Sequence, residues 1–312
     1  MDTIADGVGV TPMKNKKLSS LVDDYYLSFD FKSLRDKTKE QYQYFLGVLL
    51  DTKIDDAQKL SNINFSDITT KMAKLAYEDW CERGIHLANH VMSVARVVYN
   101  YGIHMEHCTV NPFSSIKRRT PIARKVVWTR EDVKAYLDVA YSDFYTRNLG
   151  LIVQMAYEWC QRVGDMRLLK FSSIDYDKGV LNLEQSKRRS VVHLPISWEL
   201  LEMLNQQKMD FGFQEYVAPR PRPRRGIHEP YSITKLPVEA RKIMDSAGLS
   251  KELRLADLRR TGTTEMVEAG VSMGNIMSVT GHTNPQSVKP YMKNTFASAN
   301  LALSTRKSLT QF

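Results

Sequence analysis

The chain has 312 residues, 43% of them apolar, enough to fill a core in each of two domains. Lysine and arginine total 44 against 35 aspartates and glutamates, a formal charge of +9 that favours a polyanionic partner, nucleic acid first and an acidic membrane surface second. Cys81, Cys108 and Cys160 are too few and too unevenly spaced for a disulfide framework, no run nears the roughly 20 apolar residues of a membrane span, and the N-terminus lacks a signal peptide's basic start and apolar run.

Residues 1–15 read as a flexible tail. From Lys16 to about Met105 the pattern is helical, within a first domain of 16–115. Leu18, Leu21, Val22, Tyr25 and Tyr26 share one face of a first helix. Tyr42, Phe45, Leu46 and Leu49 do so for a second, with Thr38 as its expected cap. Ile68, Met72, Leu75, Ala76 and Trp80 mark a third, and Val91, Val94, Ala95, Val98 and Tyr99 a fourth. The expectation is a bundle of about four helices.

Asn111-Pro112 ends that bundle, and a basic connector over 116–127 carries Lys117, Arg118, Arg119, Arg124 and Lys125 around Pro121. It reads either as a solvated linker or as a strap lying along a phosphate backbone. The second domain, 128–312, opens at Trp128, with Thr129 as an N-cap and Asp132 placed to close a capping box. Helices are expected at about 130–141 and 145–160. Strands follow at Val180–Glu184 and Val191–Ile196, joined by a turn holding Lys187, Arg188 and Arg189. Ser197 caps a further helix. The alternation of proline and arginine over 219–225 predicts a stiff cationic loop without regular structure. Helices resume near 232–246, 257–269, 273–280 and 296–308. The fold class is mainly α with a small β-hairpin, an α+β chain.

The chemistry-bearing residues form an ordered series: Arg162, Lys187, Arg259, His282 and, nine positions on, Tyr291. Two guanidiniums can each present paired donors to the oxygens of a phosphodiester whose charge grows during attack. A tyrosine oxygen can hold the phosphate as an ester, so a strand can be broken and resealed with no metal, cofactor or ATP. A free phenol is mostly protonated at neutral pH, so Tyr291 needs cationic neighbours or a base.

The segment Cys160-Gln161-Arg162-Val163-Gly164-Asp165 resembles the first-arginine motif of the tyrosine recombinases, the phage-integrase family, in which an acidic residue follows the arginine by three positions. Glu184-Gln185-Ser186-Lys187 is similar to the hairpin lysine motif, and Ala256-Asp257-Leu258-Arg259-Arg260-Thr261 resembles the His-x-x-Arg box. Gly281-His282 with Tyr291 matches the closing motif. The resemblance covers about 16–308 and implies a helical core-binding domain followed by a catalytic domain of tyrosine recombinase type.

By that resemblance, Tyr291 is the nucleophile of a 3′-phosphotyrosyl intermediate and Arg162 with Arg259 the clamp on the phosphate. Lys187 protonates the leaving 5′ oxygen, His282 contacts a phosphate oxygen or positions Tyr291, and Asp165 supports the first arginine. Arg260 is expected to be structural. Lys117, Arg118, Arg119, Arg124, Lys125 and Arg188 are candidate DNA contacts. The implied partners are double-stranded DNA at a specific core site, further copies of the chain in a synaptic tetramer, and host DNA-bending proteins, with no membrane and a cytoplasmic location in a bacterial host. The last helix, with Phe296, Leu301 and Leu303, is read as docking on a neighbouring protomer or on its own domain.

One position departs from the pattern, since Ala256 stands where the box histidine belongs. An alanine methyl cannot accept a proton, and general acid–base participation is typically worth about 10²–10⁴-fold. A DNA-binding pseudo-recombinase is therefore one alternative, and a type IB topoisomerase another. His86, His90, His104, His107 and Cys108 could be imagined as a zinc site, but no second cysteine pair accompanies them, so no metal is expected.

Overall fold

A computed structural model of the protein describes residues 16–54, 58–122, 124–187, 189–291 and 296–309, of which 296–298, 301 and 309 are described by their backbone alone. The tail over 1–15, Arg188 and the side chains of Phe296 and Leu301 lie outside the described residues. The chain divides into two compact units, Met1–Arg124 and Lys125–Phe312.

The first unit is helical: α1 (Leu18–Leu27), α2 (Phe29–Lys32), α3 (Asp36–Asp51), α4 (Thr70–Arg83) and α5 (Ile85–His104). Helix α5 lies against α1, α3 and α4, and its Val91, Ala95, Val98 and Tyr99 are buried with Leu18, Leu21, Leu46, Leu49 and Trp80. Thr38 is not a cap, because α3 begins two residues earlier at Asp36, whose charge favours the first turn. Leu75, expected on the apolar face of α4, is exposed, and Ala73 and Tyr77 are buried there with Ala76 and Trp80. The one-turn α2 is capped by Ser28, whose hydroxyl accepts from Phe31 N at 3.2 Å. A segment this short leaves no apolar period to read.

The start of the basic connector is bound along these helices. Arg96 on α5 donates to Phe113 O at 2.9 Å and also reaches Ile116 O. Arg119 is held from both sides, its N–H donating to Tyr77 Oη at 2.7 Å and its carbonyl accepting from Asn89 Nδ2 at 2.8 Å. His107 is buried opposite Asp24 and His90 stacks on Phe45. Among the described residues, no group of three or more His, Cys, Asp or Glu side chains is placed to hold a metal.

The second unit runs α6 (Arg130–Tyr141), α7 (Phe144–Glu158), α8 (Val163–Met166), β1 (Ile174–Asp175), β2 (Val180–Glu184), β3 (Val191–Pro195), α9 (Trp198–Phe211), α10 (Lys235–Ser246), α11 (Leu258–Glu268), α12 (Met273–Thr280) and α13 (Phe296–Leu309). Thr129 and Asp132 close their capping box, and Ser197 Oγ accepts from Leu200 N. The sheet is antiparallel in the order β1-β2-β3, pairing Leu181 with Leu194 and Leu183 with Val192, so that these four inward residues join the core. Strand β1 has two residues, too few for an alternation to register in sequence.

Helix α10 begins at Lys235, three residues later than expected, which places Pro237 in its first turn, where no N–H is needed. The proline-arginine stretch over 219–225 holds no helix or strand, as expected. It folds back through Arg225 (φ 51°) and Gly226 (φ 79°), with Arg224 N donating to Ile227 O at 2.9 Å. Positive φ at two central residues is the signature of a type I′ hairpin turn. Among the described residues, no helix is long and apolar enough to cross a membrane.

Candidate active site

Three turns of the chain bring Arg162, Arg259, His282 and Tyr291 together in the second unit. The first ends α7. Cys160 takes the left-handed conformation at φ 51° and Gln161 N donates back to Ala156 O at 3.1 Å, a Schellman-type ending that usually employs glycine. The small partner here is instead Gly262 on α11, where an added Cβ would stand 2.5 Å from Cys160 Sγ. Burial pushes the Cys160 thiol up to about 12, so it stays protonated. The reversal delivers Arg162 to the start of α8.

Asp165 on α8 is buried. Its Oδ1 accepts from Ser186 N at 3.2 Å and from the Ser186 hydroxyl, and its Oδ2 lies 3.8 Å from Arg162 Nη1. One carboxylate thereby ties the first arginine to the β2–β3 turn. Arg162 Nη1 also donates to Gln185 Oε1 at 2.8 Å.

The second is the 3₁₀ turn Leu255–Asp257, which runs into α11. Leu258, the first residue of α11, points into the core, and Arg259 beside it is only 7% exposed. Its Nη2 donates to Thr280 O at 2.6 Å and lies 3.2 Å from His282 Nε2. Burial, and then the neighbouring Arg162 charge, lowers the Arg259 pKa to about 10. The group remains a cation at neutral pH, and an incoming anion would relieve both costs.

The third ends α12. Gly281 is left-handed at φ 67°, and a Cβ there would stand 2.6 Å from Gln185 Nε2. Glycine is thus required twice, by the backbone and by the neighbour. His282 follows. Thr280 Oγ1 gives its proton to Ile276 O at 2.7 Å and therefore accepts from His282 Nδ1 at 2.7 Å. That fixes the neutral tautomer and leaves Nε2 as the acceptor facing Arg259. Tyr291 ends a short turn, Lys289–Tyr291, with its ring 6.2 Å from the His282 ring between centroids.

Arg162, Arg259, His282 and Tyr291 line one open cleft of about 440 Å³, together with Gln161, Ala256, Arg260 and an apolar wall of Ile233, Leu236, Pro237 and Leu255. Arg260, expected to be structural, faces the same space. Lys187 is exposed on the β2–β3 turn, outside the cleft lining. Lys117, Arg118 and Arg119 are exposed in the first unit and Arg124 is half-buried there, while Lys125 is exposed at the start of the second.

Residues 126–298 match the model of the phage integrase family. The chain belongs to that family. A solved lambda integrase dimer bound to a COC′ core site is similar to this integrase at 22% identity and TM-score 0.73, covering 89% of this chain and 78% of that one. The Tn1549 transposon integrase in complex with a circular intermediate DNA aligns at 14% identity and TM-score 0.74, covering 93% and 99%. A lambda integrase tetramer bound to a Holliday junction gives 20% and 0.73, with coverage of 90% and 78%. At these identities the likeness is one of fold. No curated protein matches the integrase by sequence.

Gln161, Gln185 and Thr280 are fully buried beside the arginines and are not among the residues expected at the site. A signal for Gln185 was present. Leu181 and Leu183 point inward along β2, and Gln185 falls on the same alternation, an amide in a core register that needs buried partners.

Proposed function

We propose that this integrase is a site-specific DNA recombinase that breaks and rejoins strands through a phosphotyrosine at residue 291. The supporting observation is the shared cleft, in which Arg162, Arg259, His282 and Tyr291 converge although they are spread over the chain from 162 to 291. In this reading the scissile phosphate enters between the guanidiniums, which hold its non-bridging oxygens. The Tyr291 oxygen attacks phosphorus, the bond to the 5′ oxygen breaks, and the DNA 3′ end is left esterified to Tyr291.

The leaving 5′ oxygen takes a proton from Lys187, whose exposed turn lets it reach a bound duplex. The phenol proton has no histidine at position 256 to receive it. His282 Nε2, which faces Arg259 Nη2 at 3.2 Å, becomes available as the acceptor once the phosphate draws that guanidinium donor away, and when protonated it donates to the phosphate. The ester conserves the bond energy, so a 5′ hydroxyl from another strand can reverse the step. The two arginines supply electrostatic stabilisation of the kind whose loss costs about 2.7–4 kcal/mol per donor in comparable sites. The solved lambda integrase dimer and tetramer share this fold, which supports a synaptic tetramer as the working assembly.

Ala256 favours a second reading, a family member that binds DNA but no longer cuts it. A plasmid carrying two copies of the DNA flanking the gene separates the two. The recombinase reading expects deletion or inversion between the copies, lost in Tyr291→Phe. Retention of the DNA by the protein with no strand exchange would establish the binding-only reading.

A further inference from the structure

Between the two guanidiniums runs a chain of buried amides. Gln185 Oε1 accepts from Arg162 Nη1 at 2.8 Å, and Gln185 Nε2 donates to Gln161 Oε1 at 2.6 Å and to Thr280 O at 2.8 Å. Gln161 Nε2 donates to Val279 O at 2.7 Å and Trp159 O at 2.8 Å, and its Oε1 faces Arg259 Nη1 at 3.5 Å. Thr280 O also accepts from Arg259 Nη2 at 2.6 Å. Both glutamines are 0% exposed.

Every donor and acceptor of the Gln185 amide is engaged, and only one orientation allows it. Flipped, its NH₂ would meet a guanidinium and its oxygen would meet two other oxygens. Such a fully satisfied buried network holds its members rigidly. Gly281 marks how closely the amide is seated, since no larger residue fits against it.

We infer that Gln185, acting with Gln161, is a positioning residue that sets both arginines of the phosphate clamp in one frame and ties that frame to the hairpin carrying Lys187. This rests on the recombinase reading. Gln185 never touches the phosphate; it acts through Arg162 directly and through Gln161 and Thr280 on Arg259. Replacing it with an apolar side chain of like length leaves Arg162 without its amide partner and the Thr280 carbonyl with one donor fewer. Misplacing catalytic groups by about 1 Å costs on the order of 100-fold.

The test compares Gln185→Met with the wild-type protein in single-turnover cleavage of a nicked duplex carrying the recombination core. The expected result is a loss of about 100-fold in cleavage rate with duplex affinity retained, and a lowered melting temperature because buried partners are left unpaired. A second substrate bears a methylphosphonate at the scissile position and so lacks one non-bridging charge. If Gln185 works through the arginines, its penalty shrinks on that substrate, as does the penalty of Arg162→Ala. A merely structural defect would cost the same on both. Gln185→Glu, which can accept from Arg162 but cannot donate to Thr280, gives the same reading should Gln185→Met not fold. Cleavage at the wild-type rate by a folded variant, or an equal penalty on both substrates, overturns the inference. Wild-type protein that forms no adduct would instead remove the recombinase reading itself.

Discussion

Arg259 and Lys187 carry the same charge in opposite settings. Arg259 sits 7% exposed at the base of the cleft, fastened to the end of α12, while Lys187 stands exposed on a turn between two short strands. On the proposed recombinase reading, the contrast separates two demands of phosphoryl chemistry. Charge that stabilises a transition state does so best when its orientation is preset, which burial and hydrogen bonding achieve even at the cost of a lowered arginine pKa. A proton donor that must reach a leaving oxygen on a bound duplex needs travel, which an exposed turn allows. The Asp165–Ser186 contacts anchor the base of that turn without seizing its tip.

The comparison can be broken most forcefully at the clamp. Tyr291→Phe should abolish covalent adduct, and Arg259→Ala should slow cleavage by about 10²–10³-fold, read by single-turnover kinetics on a nicked duplex. Lys187→Ala should cost about 10²-fold on an ordinary phosphodiester. Its defect should vanish when the leaving 5′ oxygen is replaced by sulfur, a leaving group that needs no proton. Arg259→Ala should gain nothing from that sulfur, and equal rescue of both variants would erase the distinction drawn between them. A smaller change is expected from Ala256→His, which restores an imidazole to the cleft lining and should raise the cleavage rate about tenfold.

The architecture of the buried side can be tested separately. Gly281→Ala forces a Cβ to 2.6 Å from Gln185 Nε2 at a left-handed position, and a cost of about 1–3 kcal/mol in denaturant unfolding is expected. The smallest effect concerns Cys160. Buried, and with its thiol pushed up to about 12, it should resist alkylation in the native protein at neutral pH and react only on unfolding.

Much of this was legible before the fold was seen. The helix phases of Leu18 to Tyr25 and Val91 to Tyr99 follow from period alone, and Thr129 with Asp132 announces its cap because those side chains satisfy backbone donors locally. The convergence of Arg162, Arg259, His282 and Tyr291 on one cleft was legible because each lies in a short motif. What escaped reading depended on contacts across the chain. Gln161 and Gln185 acquire their meaning only when the end of α7, the hairpin and the end of α12 meet. The hairpin turn at Arg225-Gly226 was hidden by the prolines before it, and α2 and β1 are too short to show a period. Thr38 resembled a cap by residue type, yet α3 starts two residues earlier at Asp36, an acidic side chain that suits the first turn.

The central claim is that Tyr291 becomes joined to DNA. Digesting the adduct formed on a nicked core duplex and sequencing the cross-linked peptide by mass spectrometry tests it most directly. The account predicts a tyrosine phosphodiester at residue 291 carrying the DNA 3′ end, with a free 5′ hydroxyl on the released strand. A linkage at any other residue, attachment through the 5′ end, or no adduct on a duplex that the protein recognises would contradict it.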